Sequence, residues 1–298
     1  MLVTQRIQMQ TLKNDVIEIT VSERGAELQS IKTLADNHDY LFNGDPKYWD
    51  FRSPLLFPVE GKLRDGKYRY EGQEFELPNH GFARTSAFEL SKSGKDYVSY
   101  TLSSSEETLK HYPFEFILKV GYRIDGNRVF VLWTVTNLDD REMLFSIGAH
   151  PAFRAPMDDG GTFDDCYLEF DEFENTPCYH VSDKGLLLPE PHDCLHGHTH
   201  DLHYSEFSGD VLIFKELKSG VVTLRSRKSD HFVSVSAPDF PLWGFWTPKQ
   251  GGAPFICIEP WFGHPDPVNA DGELKHKPAL VRLSPSQTYS QGYVISVG

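Results

Sequence analysis

Short runs of alternating apolar and polar residues recur along the chain, set apart by Gly, Asp, Asn and Pro: DVIEITVSE, KYRYEGQEFEL, DYVSYTLS, FEFILKVGYRIDGNRVFVLWTVTNLD, DVLIFKEL, GVVTLRS, HFVSVSA and TYSQGYVISV. A period of two places successive side chains on opposite faces of a strand, and Val, Ile, Tyr, Phe and Thr suit a pleated, half-buried surface. The pattern therefore predicts an all-β, antiparallel protein. KYRY-EG-QEFEL and VGYRI-DGN-RVFVLWTV read as hairpins, because Asp and Gly tolerate the backbone geometry of tight turns. Helix is expected only briefly, around EETLKHY, and the Asp-, Gly-, Pro- and His-rich region 155 to 205 is expected to be mostly loop. No fixed-period repeat and no Pro- or Ser-rich linker interrupts the chain, so residues 1–298 are read as one domain.

One stretch breaks the pattern in an informative way. FICIEPWFGHPD, residues 255 to 266, spells a buried strand and then places a carboxylate where the apolar row should continue. Phe255, Cys257 and Glu259 share one face; Ile256 and Ile258 share the other. Pro260 cannot donate a ladder hydrogen bond, so the strand is expected to stop there and leave Glu259 at a rim. MLFSIGAHPAF repeats the arrangement with His150 before Pro151, and ELPNHGFAR sets His80 in a turn with Arg84 close by. Taken singly, such a His is more often a hydrogen-bonded structural group, and a Glu more often an ion-pair partner. Three phrases together point to a concave site holding two imidazoles, a carboxylate and a guanidinium.

Composition narrows the partners. The 298 residues are 39% hydrophobic and 24% charged, with no apolar run long enough for a membrane-spanning helix. The N-terminal MLVTQRIQMQTLKND lacks the apolar core of a secretory signal, so a cytoplasmic location is expected. A net charge of −14 argues against nucleic acid as a partner, since phosphate binding needs a broad cationic face. Cys166, Cys178, Cys194 and Cys257 show no paired spacing and are read as reduced thiols.

SPLLFPVEGKL, LPNHGFAR, SIGAHPAF, APDFPLWGFWTP and ICIEPWFGHPD, in this order, resemble the aldose 1-epimerases (galactose mutarotases), in particular the LacX-like branch related to the hexose-6-phosphate mutarotases. The resemblance implies a large antiparallel β-sandwich. It also implies an isomerase acting on a sugar or sugar phosphate, with His150 as general acid, Glu259 as general base and His80 as an assisting imidazole. The chemistry suits these residue types, because ring opening needs one base on the anomeric hydroxyl and one acid on the ring oxygen, and no metal or organic cofactor. His150 and Glu259 are expected about a sugar ring's width apart, without a hydrogen bond between them.

The remaining candidates are weaker. Arg52 and Arg84 match positions that supply cationic contacts in the phosphosugar-acting relatives, and Lys62 and Arg64 lie close to them in sequence. Asp210 loosely matches a hydroxyl-binding Asp, with a plain role at the start of a strand favoured; Trp246 offers a face for sugar stacking. HDCLHGHTHDLH, residues 192 to 203, is read as solvated histidines and not as a metal site. Two competing functions stand beside the mutarotase: a non-catalytic sugar-binding or sensing protein, and a glycoside hydrolase pairing Glu259 with Asp239 or Asp266. The oligomeric state is left open between monomer and homodimer.

Overall fold

The computed structural model describes residues 7–298; residues 1–6 of the N-terminal stretch weighed as a leader lie outside the described residues. The protein is a large antiparallel β-sandwich. One sheet has 15 strands, and all but Ala152–Arg154 and Leu187–Asp201 lie on one continuous hydrogen-bonded path. It runs from Leu55–Leu56 through Ile147–Ala149, Phe255–Phe262, Leu242–Trp246, Leu212–Lys215 and Cys166–Val181 to Val221–Ser226 and Phe232–Ser236. It then passes through Thr288–Val297, Arg128–Asn137, Phe116–Asp125 and Tyr97–Ser103 to Glu89–Ser93. A three-stranded sheet, Met9–Lys13, Ile17–Ser22 and Leu28–Thr33, accompanies it. No helix among the described residues is long and apolar enough to cross a membrane.

The alternating pattern sets the faces. In Arg128–Asn137, Val129, Val131, Trp133 and Val135 are buried while Leu132 on the other face is half exposed. The predicted hairpins form: Tyr70 pairs with Gln73 across Glu71 and Gly72, both at positive φ, and Asp125 pairs with Arg128 across Gly126 and Asn127. The expected helical patch is one short helix, Glu106–Leu109, capped reciprocally by Ser105 and Thr108. One apolar cluster extends from Leu12 to Val297 and draws on both sheets.

Two expectations fail here. Region 155 to 205 is not mostly loop: Cys166–Val181 and Leu187–Asp201 form a long, bulged hairpin. Apart from a single bridge from Leu187 to Pro267, its second strand pairs with its first alone among the described strands, and such an edge tolerates the Pro189 and Pro191 that mask a strand in the sequence. The hairpin also carries Cys178 opposite the segment containing Cys194, and their sulfurs are bonded, with Cα atoms 5.7 Å apart. Four reduced thiols is therefore wrong for this pair; Cys166 and Cys257 are free and buried. Spacing along the chain could not reveal a contact made across strands.

Candidate active site

Glu259 owes its position to a strand that continues where the sequence said it should end. Phe255–Phe262 runs through Pro260. On one side it pairs without interruption with Leu242–Trp246, Glu259 opposite Gly244 and Pro260 opposite Trp243. On the other side its partner is broken: Ile147–Ala149 pairs with its end and Ala152–Arg154 with its start, leaving Ala149 to Pro151 as a gap. Ile258 donates to Pro151 O on that side. Two residues on, Pro260 faces the gap, where a missing N–H costs no ladder bond. His150 stands in the same gap, its N–H bonded to Pro54 O.

The gap thus brings acid and base together. His150 Nε2 lies 3.2 Å from Glu259 Oε2, against the ring's width expected. As expected, the two are not hydrogen-bonded: both Glu259 oxygens and His150 Nδ1 lack a partner among the described residues. Both residues line a cleft of about 150 Å³ while keeping little contact with solvent, Glu259 at 0% and His150 at 6% exposure. Burial pushes Glu259 well above the carboxylate range, with the Asp210 charge adding to it. Burial, with the Arg84 charge, pushes His150 down to about 3.

His80 enters from the PNHG turn in left-handed conformation, φ 64°. The strain of order 1–3 kcal/mol is offset by a reciprocal pair of bonds. His80 N–H donates to Gly61 O at 3.0 Å, and Gly61 N–H donates to His80 Nδ1 at 3.1 Å. Because Nδ1 accepts, the ring proton sits on Nε2. Burial and the neighbouring His150, Arg84 and Lys62 keep the ring neutral, and its centroid lies 5.5 Å from that of His150.

Aromatic rings wall the site. Trp49, absent from the sequence reading, tilts against His150 at 4.7 Å between centroids, and Trp246 meets the same ring edge-on at 5.4 Å. Trp261 lies flat across its sheet because a Cβ on Gly148 or Gly244 would come within 2.8 or 2.5 Å of its indole. Asp210 stands two residues before the strand Leu212–Lys215, as its plain reading has it, and also lines the cleft: it caps a 3-10 turn at φ 74° and accepts from Trp246 Nε1 at 2.5 Å.

The cations divide. Arg84 lines the cleft, stacked over Phe51 at 4.8 Å and donating to Asn79 O, and Lys62 lines it too. Arg52 does not. Its guanidinium is held by Gln29 O and its backbone by Glu27 Oε1, so the strand Leu28–Thr33 and its approach capture it. Arg64 is likewise tied to Ala270 O, outside the cleft. Neither carboxylate nominated for a hydrolase lines the cleft, and Asp266 is engaged by Lys277 Nζ at 2.8 Å.

The histidine run lies on the outer hairpin strand with separate partners: His196 with Asp193 and Asn175, His200 with Glu206, His203 with Asp164. The described residues that do gather donor atoms are His150, Cys257 and Glu259, all within 4.8 Å of one another.

Comparison with known proteins bears on the family and the fold. A profile of the family described as aldose 1-epimerase matches residues 8–279. The protein LacX (plasmid) of Lactococcus lactis subsp. lactis is 35% identical over 295 residues, covering 96% of this chain and 98% of LacX. A galactose mutarotase related enzyme from Lactobacillus acidophilus superposes with TM-score 0.94 at 31% identity, covering 98% of this chain and 97% of that one. A galactose mutarotase-like protein from Lactobacillus casei ATCC 334 gives 0.92 at 30% identity over 98% and 100%.

Proposed function

The chain belongs to the aldose 1-epimerase family, and from that premise we propose that it is a single-domain mutarotase that interconverts the α and β anomers of an aldohexose or its 6-phosphate. The observation that supports this reading most is the 3.2 Å approach of His150 Nε2 to Glu259 Oε2 in the wall of a cleft of sugar-ring size. The anomeric hydroxyl and the ring oxygen are bonded to the same carbon, C1. Acid and base therefore serve neighbouring atoms, and one wall of the cleft can present both groups to them.

The pair carries one proton in either of two arrangements with the same net charge: carboxylic acid with neutral imidazole, or carboxylate with imidazolium. Burial favours the first in the empty cleft. Sugar hydroxyls entering beside the pair solvate the second, which starts the reaction. Glu259 takes the proton of the anomeric hydroxyl while His150 gives its Nε2 proton to the ring oxygen, and the C1 to ring-oxygen bond breaks. Rotation about C1–C2 presents the other face of the aldehyde. Closure returns one proton from Glu259 to the new anomeric oxygen and one from the ring-oxygen hydroxyl to His150. His80, with its proton on Nε2, donates a hydrogen bond to a hydroxyl, and the Trp49 and Trp246 rings bound the sugar's apolar face.

Two-dimensional NMR exchange between anomers of a hexose panel tests the reaction directly. Catalysed exchange for at least one aldohexose supports it; none for any member, phosphorylated or not, rejects it. Lys62 and Arg84 are the cations left to select a 6-phosphate, Arg52 and Arg64 being engaged elsewhere. Lys62→Ala is then expected to raise KM for a hexose 6-phosphate by about 10-fold or more, in line with 1.5–3 kcal/mol for a charge-assisted bond, and to change that of the parent hexose by under about threefold. Equal changes for both sugars would assign the cleft to neutral hexoses.

A further inference from the structure

We propose that His150, Cys257 and Glu259 form a site for a thiophilic divalent cation of the zinc class, and that its occupancy blocks the acid–base pair. The mutarotation itself calls for no cation, so the site would be inhibitory. Cys257 is the residue that the reaction leaves unused. It shares the face of Glu259 on the strand Phe255–Phe262, two residues before it, and its thiol is free.

Three observations support the site. Imidazole nitrogen, thiolate sulfur and carboxylate oxygen form a donor set that zinc accepts, and here the three donor atoms lie within 4.8 Å of one another. Next, the 3.2 Å between His150 Nε2 and Glu259 Oε2 is made without a hydrogen bond. Two ligands about 2.1 Å from a tetrahedral ion sit roughly 3.3–3.4 Å apart, so this pair already spans one edge of such a site. Finally, Glu259 is wholly buried and, with the Trp261 indole beside it, still makes no well-aligned hydrogen bond among the described residues, although buried carboxylates ordinarily have partners. Cys257 lies behind the cleft wall, buried beside Phe42, Ala152 and Phe255, and its sulfur must close by about an ångström to reach a usual zinc–sulfur distance of about 2.3 Å.

Binding is ligand exchange without redox change: Cys257 Sγ–H and the Glu259 carboxyl release their protons to solvent, and neutral His150 gives its Nε2 lone pair. Lys62 and Arg84 line the same cleft and oppose a cation, so the affinity depends on the thiolate.

The test uses the full chain, stripped with EDTA. Co²⁺ is added as a spectroscopic probe and Zn²⁺ by calorimetry, neither of which needs turnover; failure of the mutarotase reading therefore leaves the binding result intact. Expected are a 1:1 zinc stoichiometry at this site and a thiolate-to-cobalt charge-transfer band that disappears in Cys257→Ser. Half-inhibition of mutarotation in that variant, measured against its own EDTA-treated rate, should need at least about tenfold more Zn²⁺, one lost ligand being worth 1.4 kcal/mol or more. Cys257→Ala serves if the serine variant does not fold. Absence of the band in the wild-type protein, its persistence in both variants, or inhibition at unchanged Zn²⁺ would overturn the proposal; persistence of the band would assign it to the other free thiol, Cys166, and unchanged inhibition would direct attention to the histidines of the outer hairpin.

Discussion

Glu259→Gln is expected to lower kcat for anomer exchange by about 10³-fold, within the usual 10²–10⁴ range for a positioned general base, while KM changes by less than about threefold. Glutamine keeps the side chain's length and its capacity to hydrogen-bond a hydroxyl, but it cannot carry the anomeric proton. The interaction removed is one made in the transition state, so kcat and kcat/KM should fall together. The fold should tolerate the change: Glu259 is wholly buried and pushed toward its neutral form, which an amide imitates. Saturation-transfer NMR at substrate concentrations above and below KM separates the two parameters. A normal kcat in a folded variant would assign the base to another group, with Asp210 the remaining cleft carboxylate.

Much of this site was legible because three short phrases each place a polar residue where an apolar pattern or a turn makes it conspicuous. Glu259 interrupts the row begun by Phe255 and Cys257, His150 does the same before Pro151, and His80 occupies a Pro-Asn-x-Gly turn. What failed depended on neighbours far away in sequence. Whether Pro260 ends its strand is decided by the break between Ile147–Ala149 and Ala152–Arg154, over a hundred residues earlier. Arg52 was expected at the cleft by its position in a motif, yet Gln29 O, on a strand of the three-stranded sheet, and Glu27 Oε1, just before that strand, hold it elsewhere. Trp49 has no motif and reaches His150 through the chain path alone. The separation of His150 and Glu259 depends on the same break, which sets His150 directly beside the strand that carries Glu259.

Glu60 provides a second large effect, on stability, through a residue the reaction does not use. It lies in the phrase SPLLFPVEGKL, is 0% exposed, and neither of its oxygens has a partner among the described residues. The slot it fills is built by absent side chains: a Cβ on Gly148 would come 2.9 Å from its Oε2, and one on Gly263 would come 3.2 Å from its Cβ. Burial pushes its affinity for a proton well above the carboxylate range, with Glu259 adding to the effect and Lys277 opposing it. In the unfolded chain the same carboxyl titrates near 4.3. Above that pH the unfolded state gives up a proton that the native state keeps. Stability therefore falls as pH rises through the interval between the two values, by about 1.4 kcal/mol per pH unit for one proton, and below the unfolded value no penalty remains. Glu60→Gln removes this term and fits the same slot. Its melting temperature should match the parent's near pH 4 and exceed it by a margin that grows as the pH rises above that value, until the native carboxyl itself ionises. A variant whose melting temperature tracks the parent's at every pH would mean that Glu60 titrates in the native protein as it does in the unfolded chain, and one that is less stable throughout would mean that the carboxylate is itself a structural partner.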